Sequence, residues 1–322
     1  MDAAVLVLYG LLFPGLLFLV GYALLVEYVD RRLTARMQNR VGPPLLQPLA
    51  DLIKILAKED IAPEGTDARA LEVVPLLAFA AIATAFLYVP VLGPSPFSFQ
   101  GDLIVVLYLL TLPTILLFLL GWLTRNVFGT IGGTRTATQL FLYEVPFFLA
   151  LLGPGLAAGT WSIAEIVAWQ QVHPWFVILQ PLGFIVGLLG LQAKLERVPF
   201  DIPEAETEVV AGAWTDLAGR KLAVMRLSVD MAMVVGSALL AVLFLGGPTL
   251  PFAVDPAWLA PVLGLLLFLG KTLGIVAVLS ILRAAMGRLR IDQLERFAWK
   301  YLAGFAIAQT FLILLLRGVN LT

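Results

Sequence analysis

The chain has 322 residues, 60% of them hydrophobic and 13% charged, with a formal net charge of −1. So apolar a composition excludes a soluble domain of this length, and the charge balance argues against nucleic acid as a partner. The lack of cysteine excludes disulfides and thiolate-held iron–sulfur clusters on this chain, and one histidine, His173, leaves no His/Cys ligand set for zinc.

Eight apolar runs are long enough to cross a hydrocarbon core about 30 Å thick. They cover roughly Ala3–Val26, Leu71–Leu92, Leu103–Leu123, Ala137–Ala158, Trp175–Leu195, Leu222–Leu245, Ala257–Leu282 and Ala298–Leu316. The expected fold is all-α: a polytopic membrane protein, one integral domain over residues 1–322. The first run lacks a basic leader and reads as a span rather than a cleaved signal. Arg31, Arg32, Arg36, Arg40, Lys54, Lys58 and Arg69 follow the first span, and Arg125 and Arg135 the third. Lys194, Arg197, Arg220 and Lys221 follow the fifth. Arg283, Arg288, Arg290, Arg296 and Lys300 follow the seventh. The connections after spans two, four and six carry no basic residue. The positive-inside rule then makes the odd-numbered connections cytoplasmic, with both termini on the outer side of the cell membrane.

The first cytoplasmic connection holds a helical pattern. Leu45, Leu46, Leu49, Leu52, Ile53 and Leu56 fall on one stripe, with Pro48 in the first turn. Residues 45–58 therefore predict an amphipathic helix lying in the lipid interface. Arg40–Pro44 before it reads as a stiff turn. The outward connections, Gly93–Asp102, Gly155–Val167 and Gly246–Pro256, are short, and the second of them is compatible with a short helix.

Function is expected at the acidic cytoplasmic stretch, about 195–221. Glu196, Asp201, Glu204, Glu206 and Glu208 crowd into it, with Pro199 and Pro203 stiffening the chain. Pro203, Glu204 and Glu206 predict the first turn of a short helix that would put Glu204 and Glu208 on one face. The bland alternative is a solvated acidic loop. Acids this close should raise one another's pKa and titrate together. Within the spans, ionisable groups cost about 2.5–3.5 kcal/mol each on insertion scales and need a reason. Glu144 and Lys271 have no sequence neighbour to pair with. Arg226 and Asp230, four apart, either pair locally or serve a proton path.

Four ordered motifs together resemble the membrane subunit that docks the peripheral arm in the respiratory complex I superfamily. They are Asn39–Asp60, Tyr143–Glu144, Val198–Gly212 (VPFDIPEAETEVVAG) and Leu289–Lys300. That superfamily includes quinone-reducing complex I and the membrane-bound nickel–iron hydrogenases. The resemblance implies a subunit with no redox centre of its own, seated against an iron–sulfur cluster in a neighbouring subunit. A nickel–iron centre or a quinone would lie in or beside its partners. Implied partners are the iron–sulfur small subunit and the large catalytic subunit of the peripheral arm, other membrane subunits including antiporter-like ones, and the lipid bilayer.

The implied function is to couple electron transfer to proton or sodium translocation. The implied proton path runs through Glu144, Asp230, Lys271, Glu196, Glu204, Glu206 and Glu208. The implied docking or redox-facing residues are Arg36, Arg40, Asp201, Glu204, Arg290 and Asp292. Arg40–Pro44 runs directly into Leu45 without the insertion of quinone-reducing members, which favours the hydrogenase-type branch; a quinone-reducing subunit and a stand-alone ion transporter are the alternatives. Two departures stand out. Lys194 occupies a position where the family usually has glutamate, and Asp216–Gly219 replaces the usual EYSG. A lysine there is expected to turn to the headgroups or to pair with Glu196 or Asp201.

Overall fold

The computed structural model describes residues 3–250 and 259–319, and among them every regular element is a helix. Seven helical stretches are long and apolar enough to cross a membrane. The first comprises α1 (Ala3–Leu11) and α2 (Leu16–Met37), interrupted around Pro14. Instead of stopping at Val26, α2 runs on for three turns, so Arg31, Arg32 and Arg36 stand on a helix rather than in a loop. The interfacial helix α3 (Gln47–Leu56) forms where the apolar stripe predicts it, with Pro48 in its first turn. Next come α4 (Ala68–Leu87) and α5 (Asp102–Leu123). Asp67 caps α4 by accepting the backbone N–H of Arg69 at 3.0 Å.

The fourth long helix, α6 (Val127–Ala158), starts ten residues before the predicted span because Asn126 caps it, accepting from the Phe128 N–H at 3.1 Å. Arg135 is therefore helical. A short helix, α7 (Ile163–Val172), fills the next connection. The predicted fifth span is broken. It consists of α8 (Phe176–Leu179) and α9 (Pro181–Lys194), because Pro181 lacks the N–H that would continue the first helix. Fourteen residues rise only about 21 Å, short of a full crossing. Gln180 at the break donates to the Gly153 carbonyl at 3.3 Å, and Gln309 accepts the Gly183 N–H. Gln309 thus satisfies a first-turn N–H of α9 that the break orphans, and Gln180 ties the break to α6.

In the acidic stretch, α10 spans only Glu206–Val209. Its first accepting carbonyl is that of Ala205, which takes the N–H groups of Glu208 and Val209 at 2.8 and 2.9 Å. Glu204 therefore lies outside the helix, in the turn made by Pro203, and does not share a helical face with Glu208. A 3₁₀ turn follows at Gly212–Trp214.

The remaining long helices are α11 (Gly219–Leu245), α12 (Leu259–Ala285) and, after the short α13 (Ile291–Phe297) and a π-turn at Ala298–Leu302, α14 (Ala303–Val319). The expected Gly246–Pro256 connection and the first residues of the seventh span run into positions outside the described residues.

α11 is the axis of the bundle. It packs against α2, α3, α4, α5, α9 and α12, and from Met231 to Phe244 its side chains are buried. Elsewhere glycine permits close approach. A Cβ on Gly132 of α6 would stand 2.4 Å from the Cα of Gly212, which itself takes φ +53°. The backbone of the acidic stretch thus lies directly on α6. The lipid-facing sides of α14 and α5 keep exposed leucine, isoleucine and phenylalanine, as an apolar solvent allows.

Candidate functional site

The acidic stretch is folded back onto the helix ends rather than left in solvent. Leu289, between α12 and α13, donates its N–H to the Pro199 carbonyl at 2.9 Å, and Arg288 binds Asp201. Arg135 of α6 pairs with Glu208 at 2.6 Å. Gln139 of α6 donates to the Ala193 carbonyl at 2.7 Å, and Gln192 to the Val198 carbonyl at 2.6 Å. These bonds fix both ends of the loop's first half.

Lys194 meets Glu144. The ammonium lies 2.8 Å from the Glu144 carboxylate, with the lysine side chain 2% exposed. Thr111 of α5 completes the group: its hydroxyl donates to Glu144 and accepts from Lys194 at 3.1 Å. The Tyr143 and Phe147 rings flank the ammonium at 5.2 and 5.3 Å. The expectation that Lys194 turns to the headgroups or pairs with Glu196 or Asp201 is therefore corrected. As the last residue of α9, a helix packed against α6, it reaches inward to the acid on that neighbour. Each charge supplies the partner that the other's burial demands.

Next to this pair is a cavity of about 30 Å³ whose wall includes Lys194, Glu196, Glu204, Thr114 and Trp214. Burial raises the Glu196 carboxyl well above its usual range, and the charges of Glu204 and Asp201 push it further. Glu204 is raised to about 7, first by burial and then by Asp201; Arg226 and Arg283 act against the shift. Asp201 is also raised, by burial above all, with Arg288 opposing. Among the acids, then, Glu204 and Asp201 act on Glu196, Asp201 acts on Glu204, and Glu206 acts on Asp201. Glu206 and Glu208 stand exposed on the outer side of the loop.

A second polar group borders a larger cavity, about 320 Å³, between α2, α3 and α11. Glu27, Arg31, Asp51, Arg226 and Asp230 stand on its wall. Arg31 binds Glu27 and lies 2.8 Å from Asp51, tying the interfacial helix to α2. Arg226 and Asp230 do not form the local pair that their spacing allowed; Arg226 is exposed and contributes to the field at Glu204. Arg197 joins the two groups. From the acidic stretch it reaches Asp30 at 2.9 Å and Glu27 at 3.6 Å. Asp30 is fully buried and also holds Arg283 and Ser280, each at 2.8 Å.

Asp30, at the end of the first span, and Arg197, among the basic residues after the fifth, were given no site role from sequence, and Thr111 carried no signal. A signal existed for the first: Glu27, Asp30 and Arg31 fall one turn apart where the first span ends. Lys271 lies elsewhere. Its ammonium donates to the carbonyls of Leu245 and Gly247 at 2.6 and 2.8 Å and sits 4.5 Å from the Trp175 ring, at the far end of α11. There it caps a helix C-terminus, and it does not join Glu144 and Asp230. Arg36 is exposed in the last turn of α2 and Arg40 is exposed beyond its end, where Gly42 packs against Arg32. Arg290 and Asp292 face each other at 3.9 Å on the rim of a cavity of about 230 Å³ beside Arg135 and Glu208.

A family model described as NADH dehydrogenase matches residues 11–314. Among curated proteins, an NADH-quinone oxidoreductase subunit of Carboxydothermus hydrogenoformans is 33% identical over 306 residues, covering 92% of this chain and 85% of that one. The corresponding NADH-quinone oxidoreductase subunit of Dehalococcoides mccartyi is 34% identical over 314 residues, covering 94% and 86%. Among solved structures, a chain of the membrane-bound sulfane sulfur reductase, an archaeal respiratory membrane complex, superposes with a TM-score of 0.83. It shares 26% identity and covers 92% of this chain and 96% of that one.

Proposed function

Because this chain belongs to the NADH dehydrogenase family, we propose that it is the coupling subunit of an energy-converting redox complex. It docks the iron–sulfur arm on its acidic stretch and passes the effect of electron transfer to ion-translocating membrane subunits. The observation that carries this reading is the continuity of ionisable groups. They run from the cavity beside α3, through Arg197 and the loop acids, to the buried Glu144–Lys194 pair. A purely structural anchor has no need of them, since each charge within apolar surroundings is costly. A charge arriving beside Asp201 and Glu204 acts on a Glu204 carboxyl already poised near neutrality, which is how a redox event becomes a proton shift. With α8 and α9 together making the eighth crossing, the basic connections place this end in the cytoplasm and both termini outside.

On the acceptor side we favour the hydrogenase-type branch, because Pro44 leads into Leu45 and α3 with no insertion. The cavity of about 320 Å³ favours the second reading, a quinone-reducing subunit, since it opens between the interfacial helix and the bundle and the relatives named above are quinone oxidoreductase subunits. Purification of the intact complex tests both. The expected finding is an iron–sulfur partner whose association weakens when Asp201 and Glu204 are replaced by Ala. Normal assembly and coupled activity in that double variant would overturn the docking role. Evolution of hydrogen by the complex supports the first branch, and reduction of a short-chain quinone analogue supports the second.

A further inference from the structure

Charge on the wall of the cavity between α2, α3 and α11 does not balance. Lys54 and Lys58 of α3 stand on that wall with Arg226 of α11. Arg31 is taken by Glu27 and Asp51, and Asp51 also accepts from Gln47 at 2.8 Å. Glu27 has a second partner in Arg197. Among the described residues, Lys54, Lys58 and Arg226 form no ion pair, and all three are exposed. Of the acids on the wall, Asp230 alone is left to set against three free cations. The cavity is firmly framed. Arg31 ties the middle of α3 to α2, and Lys221 of α11 binds Asp60, beyond the end of α3, at 3.1 Å. A Cβ on Gly219 would stand 2.9 Å from the Cα of Asp60, so the start of α11 lies on that segment. On the opposite side of α3 from the cavity, Leu46 and Ile53 are 69% and 56% exposed. The helix therefore offers leucines to acyl chains on one side and lysines to the cavity on the other.

We propose that this cavity binds the headgroup of an anionic phospholipid from the cytoplasmic leaflet, with Lys54, Lys58 and Arg226 around the phosphate and the acyl chains in the bilayer beside α3. At about 320 Å³ the cavity is at the small end of ligand pockets, about 300–1,000 Å³, and takes a headgroup rather than a whole lipid. Lipids of the cytoplasmic leaflet carry the negative charge that cations at the membrane surface attract. A neutral quinone head would leave the three cations uncompensated. Seated there, the lipid neutralises the cavity and holds α3 to the bundle. The inference rests on the hydrogenase-type branch, in which no quinone claims the cavity, and it is independent of ion translocation.

The test uses the intact complex in nanodiscs of phosphatidylcholine containing a minor share of phosphatidylglycerol. Native mass spectrometry after release into mild detergent should find phosphatidylglycerol retained on this chain in preference to phosphatidylcholine. Lys54→Gln, Lys58→Gln and Arg226→Gln should each weaken that retention about fivefold. None of the three has an acid partner among the described residues, so neutralising them strands no charge. Arg36→Gln/Arg40→Gln, which removes exposed cations off the cavity wall, should leave retention unchanged. Equal retention of the two lipids overturns the proposal. So does an equal loss in the Arg36→Gln/Arg40→Gln variant, which would mark a diffuse surface field instead of a site. Hydrogen evolution is read in parallel. A quinone in place of the lipid overturns this inference, and the hydrogenase-type branch with it if no hydrogen is evolved. Hydrogen evolution without a preference for phosphatidylglycerol overturns this inference alone.

Discussion

At the residue scale, the Glu144–Lys194 pair and the loop acids make separable predictions. Lys194→Met leaves a carboxylate buried without its partner. Breaking one side of a buried pair costs about 3–5 kcal/mol, so the melting temperature of the purified complex should drop sharply. Removing both charges in Glu144→Gln/Lys194→Met should recover most of that loss. Recovery would show that the penalty comes from the stranded charge and not from lost packing; no recovery would contradict it. Glu204 differs, because its carboxyl is raised to about 7 from an ordinary 4.5. The folded loop therefore favours the protonated form. Its contribution to stability is present below pH 4.5 and is lost as pH rises toward 7. Trp214 shares the cavity wall with Glu204. Its fluorescence, isolated by subtracting the signal of Trp214→Phe, should change with a midpoint near pH 7. In Glu204→Gln that transition should vanish.

At the element scale, the break between α8 and α9 and the contact of α6 with the acidic stretch carry the geometry. Gln309→Leu would leave the Gly183 N–H and the side-chain oxygen of Gln180 without a partner. An unsatisfied buried group costs about 1–3 kcal/mol, which thermal unfolding in detergent should register. Gly132→Ala would press a methyl group into the backbone of Gly212, where no side chain can swing away. Such overpacking costs about 1–3 kcal/mol, and it should weaken binding of the iron–sulfur arm as well as stability. Apolar length and the placement of Arg and Lys made the bundle legible, and the stripe from Leu45 to Leu56 located α3. The interruption at Pro181 escaped because Trp175–Leu195 is long enough to cross and because prolines such as Pro113 and Pro146 sit inside unbroken helices. Periodicity gives no warning of a break that a glutamine on another helix repairs.

At the scale of the whole molecule, charges far apart in the chain converge on one end of the bundle. The stretch 195–221 stood out by its acids and prolines, and the motif Val198–Gly212 marked it as the candidate site. Its internal arrangement carried no such signal. That Lys194 reaches Glu144 depends on how α9 packs against α6. That Asp30 gathers Arg197, Arg283 and Ser280 depends on three elements meeting. Lys271 misled for the same reason, since a lysine amid apolar residues looks alike whether it lines a path or caps a neighbouring helix. The most direct measurement of coupling is the number of ions translocated per electron by sealed vesicles carrying Glu144→Gln/Lys194→Met, in which the pair is neutral and no charge is stranded. The expected result is an assembled complex whose electron transfer no longer drives translocation. A wild-type ratio in that variant would contradict a coupling role for the pair.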